Sequence, residues 1–375
     1  VAVYGGVVLS MEKMNKIKEL DEENMCVIAE PGVNTGFLKS FLEGRGYYYP
    51  PDPQSYETSS IGGNVATNAG GPRAVRYGTT KDYVMSLDIY ASTGDMLTTK
   101  GMTYKFSSGY NLNEIFCGSE GTLGVIGSVT LKILPLPSAN QVFLIPFKSI
   151  EYACKFLKEA ISKRFVFSAF EFIDDTSKCY VEQFLLQKLP YSDVANCYVF
   201  AEMEQCEDNT ILDSFLELVM KSGGLDVYAA KDKGQEERLW EARRKISEAF
   251  KFFAKYIYKA DIVVPRANIA QLVKEAKQIS SENLQLACFG HVGDGNVHLN
   301  ILDINGSYKD FAEKIMGLVM EKVKMLGGFP SGEHGIGVAK KNYLKNFFSQ
   351  YHLEIFKKLK KVFDPSGIMN PGKIF

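Results

Sequence analysis

The sequence predicts an α+β protein in two parts, on three observations. Residues 1–136 are rich in Gly, Ser, Thr and Asn, with short apolar runs between turn clusters. A proline pair, Pro135-Leu136-Pro137, then interrupts the chain. Beyond it, segments of helical periodicity alternate with strand-like runs, the pattern of a sheet covered by helices.

In the first part, apolar runs at residues 7–9, 27–29, 86–90, 125–126 and 129–133 predict strands. Residues 34–43 predict a short helix, with Asn34 as its cap and Gly44 and Gly46 closing it. Proline breaks both helix and sheet ladders, so the prediction is one domain over 1–136 and another over 137–375. In the second, residues 149–163, 210–222, 236–255, 268–280 and 308–326 carry helical periodicity. Residues 196–202, 284–289 and 297–301 read as strands between them.

Composition narrows the function. Hydrophobic residues make up 46% and charged residues 23%, as in ordinary globular domains. The formal net charge of -1 offers no electrostatic support for nucleic-acid binding. No apolar run approaches the roughly 18 residues of a membrane span. The seven cysteines, Cys26, Cys117, Cys154, Cys179, Cys197, Cys206 and Cys288, form no C-x-x-C pair. They fit a reducing compartment, argue against an iron–sulfur cluster in this chain, and read as small buried hydrophobes. The expectation is a cytoplasmic protein, peripheral at a membrane only through partners. The opening Val1-Ala2-Val3-Tyr4-Gly5-Gly6 has no initiator Met and no signal peptide, so an N-terminal piece is expected to be missing.

The small residues from Ser59 to Gly71, after Pro50-Pro51-Asp52-Pro53, bury little area. They allow a backbone to approach a ligand with its N–H groups unhindered. The tract lacks the G-x-G-x-x-G spacing of a nicotinamide dinucleotide turn, and taken alone it is a plain loop.

A sharper signal is His291-Val292-Gly293-Asp294-Gly295-Asn296-Val297-His298. Asp294-Gly295 suits a two-residue hairpin turn. A hairpin centred there pairs His291 with His298 on one face, close enough for two imidazoles to share a cation. Asn300 points to the same face. Ser331-Gly332-Glu333-His334-Gly335-Ile336-Gly337 adds a carboxylate, giving His291, His298 and Glu333 as metal ligands with open positions for substrate. Zinc, manganese and iron all accept that set. On the 236–255 helix Arg243 and Ser247 are four apart and share a face, and arginine offers a fork to a carboxylate.

Several motifs together carry a resemblance: Pro51-Asp52-Pro53, S-I-G-G-N-V-A-T-N-A-G-G from Ser60 to Gly71, Arg76-Tyr77-Gly78, G-S-E-G-T-L-G-V-I from Gly118 to Ile126, the two histidine motifs, and Asn370-Pro371-Gly372-Lys373. Along nearly its whole length the chain resembles the vanillyl-alcohol-oxidase type of FAD-linked flavoproteins. The most similar branch holds glycolate oxidase, D-lactate dehydrogenase and D-2-hydroxyglutarate dehydrogenase. The resemblance implies an FAD-binding domain and an α+β substrate and metal domain whose antiparallel sheet is covered by helices, with roughly the last fifteen residues returning to the flavin. Family members carry another strand and a phosphate loop before the G-G-V-V-L-S passage at residues 5–10, so the FAD domain is expected to be truncated here.

The resemblance also assigns residues. For FAD it implies Pro51 and Asp52; Ser60, Gly62, Gly63, Asn64, Thr67, Asn68, Gly70 and Gly71; Tyr77 and Gly78; Glu120, Gly121, Gly124 and Ile126; and Asn370. It supports a divalent metal on His291, His298 and Glu333. It implies that Arg243, Ser247, Lys259 and Asn300 meet the substrate, although Arg244 stands where the family has Glu. The expected reaction oxidises a small D-2-hydroxy acid. Arg243, with Lys259, holds its carboxylate; the metal takes the 2-hydroxyl; His334 removes the hydroxyl proton; and the α-hydrogen leaves as hydride to the flavin. An electron-transfer flavoprotein, an iron–sulfur partner or a quinone would then take the electrons, and a homodimer is a further expectation. The rival readings are an alkylglycerone-phosphate-synthase-like flavin transferase and a non-catalytic flavin subunit of an electron-transfer complex.

Overall fold

The computed structural model describes residues 2–137, 140–204, 209–281 and 283–374, so Cys206 lies outside the described residues. The chain forms two compact units. One comprises residues 1–71, 77–137 and 333–375, and the other residues 72–76 and 138–332. The return to the first unit thus begins at Glu333, well before the last fifteen residues. Glu333 and His334 fall in this unit rather than in the one that carries the two motif histidines.

The first unit is built on a five-stranded antiparallel sheet in the order Ile17–Asp21, Cys26–Ala29, Val125–Lys132, Val84–Tyr90, Met96–Thr98. The two runs expected at 125–126 and 129–133 are a single strand. Val27, Leu87, Val129 and Leu131 of the sheet pack with Leu38 and Leu42 of the helix Thr35–Glu43. That helix starts where the sequence places its cap: the Asn34 side chain accepts from Phe37 N–H at 2.9 Å. The small-residue tract is not a loop throughout. Ile61–Thr67 is a helix capped by Ser60, and Ile61 and Val65 reach into the core. The strand expected at 7–9 does not form. Val7, Val8 and Leu9 are exposed, and no strand pairs with them among the described residues. An unpaired strand leaves its backbone groups to water and has little reason to persist.

The second unit holds a seven-stranded antiparallel sheet. Its order is Tyr228–Ala229, Gln141–Phe147, Cys197–Met203, Phe167–Asp174, Leu284–His291, Asn296–Asp303, Tyr256–Val263. Ala242, Ile246 and Phe250 of the helix Lys233–Phe253 cover one face, packing with Ile173, Ala287 and Phe289. On the opposite face Phe156 of the helix Ile150–Ser162 meets Phe147, Phe167 and Phe170. Phe156 also meets Phe215 of the helix Asn209–Lys221. These are the two layers that an α+β sheet covered by helices requires. Among the described residues, no helix is long and apolar enough to cross a membrane.

Candidate active site

The candidate site begins with strand alternation. Across neighbouring strands of the second unit, His291 lies opposite both Glu171 and Asn296, His298 opposite both Phe289 and Asp261, and Asn300 opposite Lys259. Directly opposed residues share a face. One polar patch therefore interrupts the apolar surface beneath the helix Lys233–Phe253.

The hairpin differs from the expected one. His291 does not oppose His298; it opposes Asn296, and the connection is Val292–Gly295 rather than Asp294-Gly295 alone. The longer loop has local causes. Val292 is buried, the Asp294 carboxylate accepts from Asn296 N–H at 2.9 Å, and Gly295 N–H donates to the His291 carbonyl at 3.1 Å. Gly295 has φ +100, and a Cβ there would lie 2.2 Å from the Val264 carbonyl oxygen. Because the register moves by two residues, every side chain keeps its face. The imidazoles still converge, with Nε2 atoms 3.3 Å apart.

Buried charge surrounds the pair. His291 Nδ1 contacts a carboxylate oxygen of Glu171, which is fully buried. The other Glu171 oxygen takes Nε of Arg243 at 3.0 Å and Nη2 at 2.7 Å. Burial alone would raise the Glu171 pKa; His291 and Arg243 outweigh it and hold the carboxyl below its usual range. His298 Nδ1 lies 3.5 Å from Asp261, whose carboxylate also accepts from Asn296 Nδ2 at 2.7 Å and from Ser331 Oγ and Gly332 N–H at 3.1 Å each. Asn300 is buried beside them, its amide donating to the His298 carbonyl at 3.1 Å.

Arg243, expected to take a substrate carboxylate, directs Nε and Nη2 to Glu171, and its guanidinium carbon lies 4.6 Å from the Phe289 ring centre. A cation this buried needs a partner within the fold. Ser247 is half-buried one turn further along the helix. Lys259 remains exposed, and desolvation, helped by the like charge of Lys251, lowers its pKa. Glu171 is the residue sequence reasoning missed. Its signal is a carboxylate set between two phenylalanines in the strand F-S-A-F-E-F-I-D.

In the first unit the segments assigned to FAD meet. Gly118 N–H donates to the Val65 carbonyl at 2.9 Å and Glu120 N–H to the Ala66 carbonyl at 2.7 Å. The Asn370 amide donates to the Glu120 carbonyl at 2.6 Å. A Cβ on Gly121 would lie 2.8 Å from that amide. The Glu120 carboxylate receives Ile336 and Gly337 N–H at 2.6 and 2.8 Å, which ties down the loop that follows His334. Glu333 lies beside Gly70, where a Cβ would be 3.1 Å from Oε2. The exposed His334 ring is 3.5 Å from the other Glu333 oxygen.

Other members of the set make contacts within the fold. Gly62 is pressed onto Pro31, Gly71 onto the Asp52 carbonyl, and Gly78 onto the Asp82 carboxylate. Gly124 sits against Ile89, and Ile126 pairs with that same residue. Asn64 is buried and donates to Thr35 Oγ at 2.8 Å. Asn68 accepts from Thr79 Oγ and Lys81 N–H at 3.0 Å each. The Asp52 carboxylate pairs with Lys39 at 2.7 Å, Pro51 is buried, and Tyr77 packs on Tyr48. Gly63 is exposed, and Thr67 follows it one turn later on the helix.

Residues 136–374 match the family described as FAD linked oxidases, C-terminal domain, and residues 1–100 match the FAD binding domain. A D-lactate dehydrogenase of Anaerostipes hadrus is 35% identical over 100% of this chain and 81% of its own length. The glycolate oxidase subunit GlcD of Bacillus subtilis (strain 168) is 35% identical over 99% of this chain and 80% of its own. The chain belongs to the FAD-linked oxidases. A solved p-cresol methylhydroxylase, 13% identical, superposes with a TM-score of 0.78 over 97% of this FAD-linked oxidase and 78% of that chain, which shows a shared fold. The relatives are named as a dehydrogenase and an oxidase subunit, and this FAD-linked oxidase is an oxidoreductase.

Proposed function

We propose that this FAD-linked oxidase dehydrogenates a small D-2-hydroxy acid to the 2-oxo acid, with a divalent cation held on His291 and His298. The observation that carries the reading is the convergence of two buried imidazoles whose Nε2 atoms face each other at 3.3 Å.

The residues present fit both groups. The two buried imidazoles bring their Nε2 atoms together, while their Nδ1 atoms lie against the carboxylates of Glu171 and Asp261. This is a donor arrangement for zinc, manganese or iron. For FAD, the helix Ile61–Thr67 turns Gly63 and Thr67 outward, next to the Gly118–Gly121 and Asn370 segments. The glycines in these segments would let a planar cofactor come close to the backbone.

When bound, FAD supplies the two-electron acceptor. A bound divalent cation makes a substrate hydroxyl more acidic. Within the protein, Lys259 is proposed to bind the substrate carboxylate, with Ser247 and Asn300 orienting the substrate. Arg243 holds the Glu171–His291 pair. From the sequence motif, Glu333 is the proposed carboxylate ligand and His334 the group that takes the hydroxyl proton.

The test is anaerobic mixing of the FAD-loaded protein with D-lactate, glycolate or D-2-hydroxyglutarate, together with metal analysis. Bleaching of the flavin by one of them is the expected result. No bleaching by any of the three, with metal and flavin both present, would overturn the proposal.

A further inference from the structure

We propose that Glu171 is a positioning residue of the candidate cation site, fixing the proton of His291 on Nδ1 so that Nε2 presents its lone pair. The inference rests on the reading of His291 and His298 as ligands, and goes beyond it by naming what orients the first of them.

The strand register places Glu171 directly opposite His291. It is fully buried, between Phe170 and Phe172, whose side chains face the other side of the sheet. A carboxylate in such surroundings is very costly unless charge and hydrogen bonds compensate it. Both of its oxygens are engaged, and they do different work. Oε2 receives two N–H groups of Arg243, at 3.0 and 2.7 Å, which holds the carboxylate plane. Oε1 is left to meet His291 Nδ1. An ionised carboxylate only accepts, so it selects the tautomer with the proton on Nδ1. The opposite tautomer would turn an N–H toward His298 and repel a cation. Arg243 thereby acts on the site through Glu171 without touching the cation.

The full chain carrying Glu171→Gln, Glu171→Asp, or Glu171→Gln with Arg243→Met would be compared with the unchanged protein. The double variant removes the unpaired buried cation that the single Gln variant leaves, so its folding does not depend on the lost pair. Two readouts are needed: Zn²⁺ affinity by competition with a chromogenic chelator, and the His291 tautomer from imidazole ¹⁵N shifts in metal-free protein. The proposal expects an Nδ1–H tautomer in the unchanged protein. The double variant should show a mixture of tautomers and a loss of Zn²⁺ affinity of about 10–100-fold, and Glu171→Asp should recover most of it. An unchanged tautomer in the double variant overturns the proposal, whatever the affinity does. A protein that takes up no Zn²⁺ at these histidines overturns the cation reading instead, and the tautomer comparison then decides Glu171 by itself.

Discussion

At the scale of single residues, the second unit concentrates charge where a β-sheet face is otherwise apolar. Arg243 and Glu171 are both buried and hold one another. Removing one partner leaves the other charged and unsolvated, which costs about 3–5 kcal/mol. Arg243→Met is therefore expected to lower unfolding free energy by about that amount in a urea titration, whereas Arg244→Met, on an exposed side chain of the same helix, should change it by less than about 0.5 kcal/mol. His334 is exposed, and its proposed work is chemical. His334→Ala should slow single-turnover flavin reduction by about 100-fold or more while leaving the melting temperature nearly unchanged. Burial pushes Cys117 and Cys154 up to about 12, and Cys197 and Cys288 well above the ordinary thiol value, so none of these offers a thiolate at neutral pH.

At the scale of elements, the hairpin between the strands Leu284–His291 and Asn296–Asp303 sets the spacing of the imidazoles. Its tightest point is Gly295, in the left-handed region and against the Val264 carbonyl. Gly295→Ala meets both obstacles. Backbone strain of this kind costs about 1–3 kcal/mol, and the contact with Val264 adds to it. The expected result is a lower melting temperature together with weaker Zn²⁺ binding, since the loop must move and His298 with it. Gly293→Ala is a less direct comparison, because its Cβ would meet the Val75 side chain at 2.5 Å instead of backbone.

At the scale of the molecule, the first unit is discontinuous in sequence: residues 333–375 rejoin residues 1–71 and 77–137. Asp364 anchors that return. It is buried, it accepts from Ile368 and Met369 N–H at 3.1 and 2.9 Å, and it pairs with Lys360. Burial works to raise its pKa, but Lys360 and these backbone donors together keep the carboxyl below its usual range. A carboxyl depressed on folding adds stability above its unfolded pKa of about 3.9, and that stability is lost as pH falls through the folded value. Asp364→Asn should therefore cost about 1.5–3 kcal/mol at pH 7, with the difference from the unchanged protein shrinking below about pH 4. Equilibrium unfolding at pH 7 and pH 3 measures both; a difference that does not shrink at low pH would overturn the assignment.

Much of this was readable from local chemistry. Asn34 caps its helix as expected because the cap is a contact within four residues. The facing of His291 and His298 followed from strand parity, which survives a register error of two. What escaped the sequence depends on distant neighbours. The strands Phe167–Asp174 and Gln141–Phe147 are buried on both faces, so neither shows the alternation that betrays a half-exposed strand. The run at residues 7–9 looks like a strand, yet nothing pairs with it among the described residues. The helix Ile61–Thr67 hides in a tract of small residues because two apolar side chains, Ile61 and Val65, supply its core contact. The sequence by itself determined the residue types, the turn glycine and the two imidazoles. Only the tertiary structure decided that Arg243 faces inward and that Glu171 stands behind His291. Those partners are far apart in the chain, and the low dielectric of the interior is what obliges them to meet.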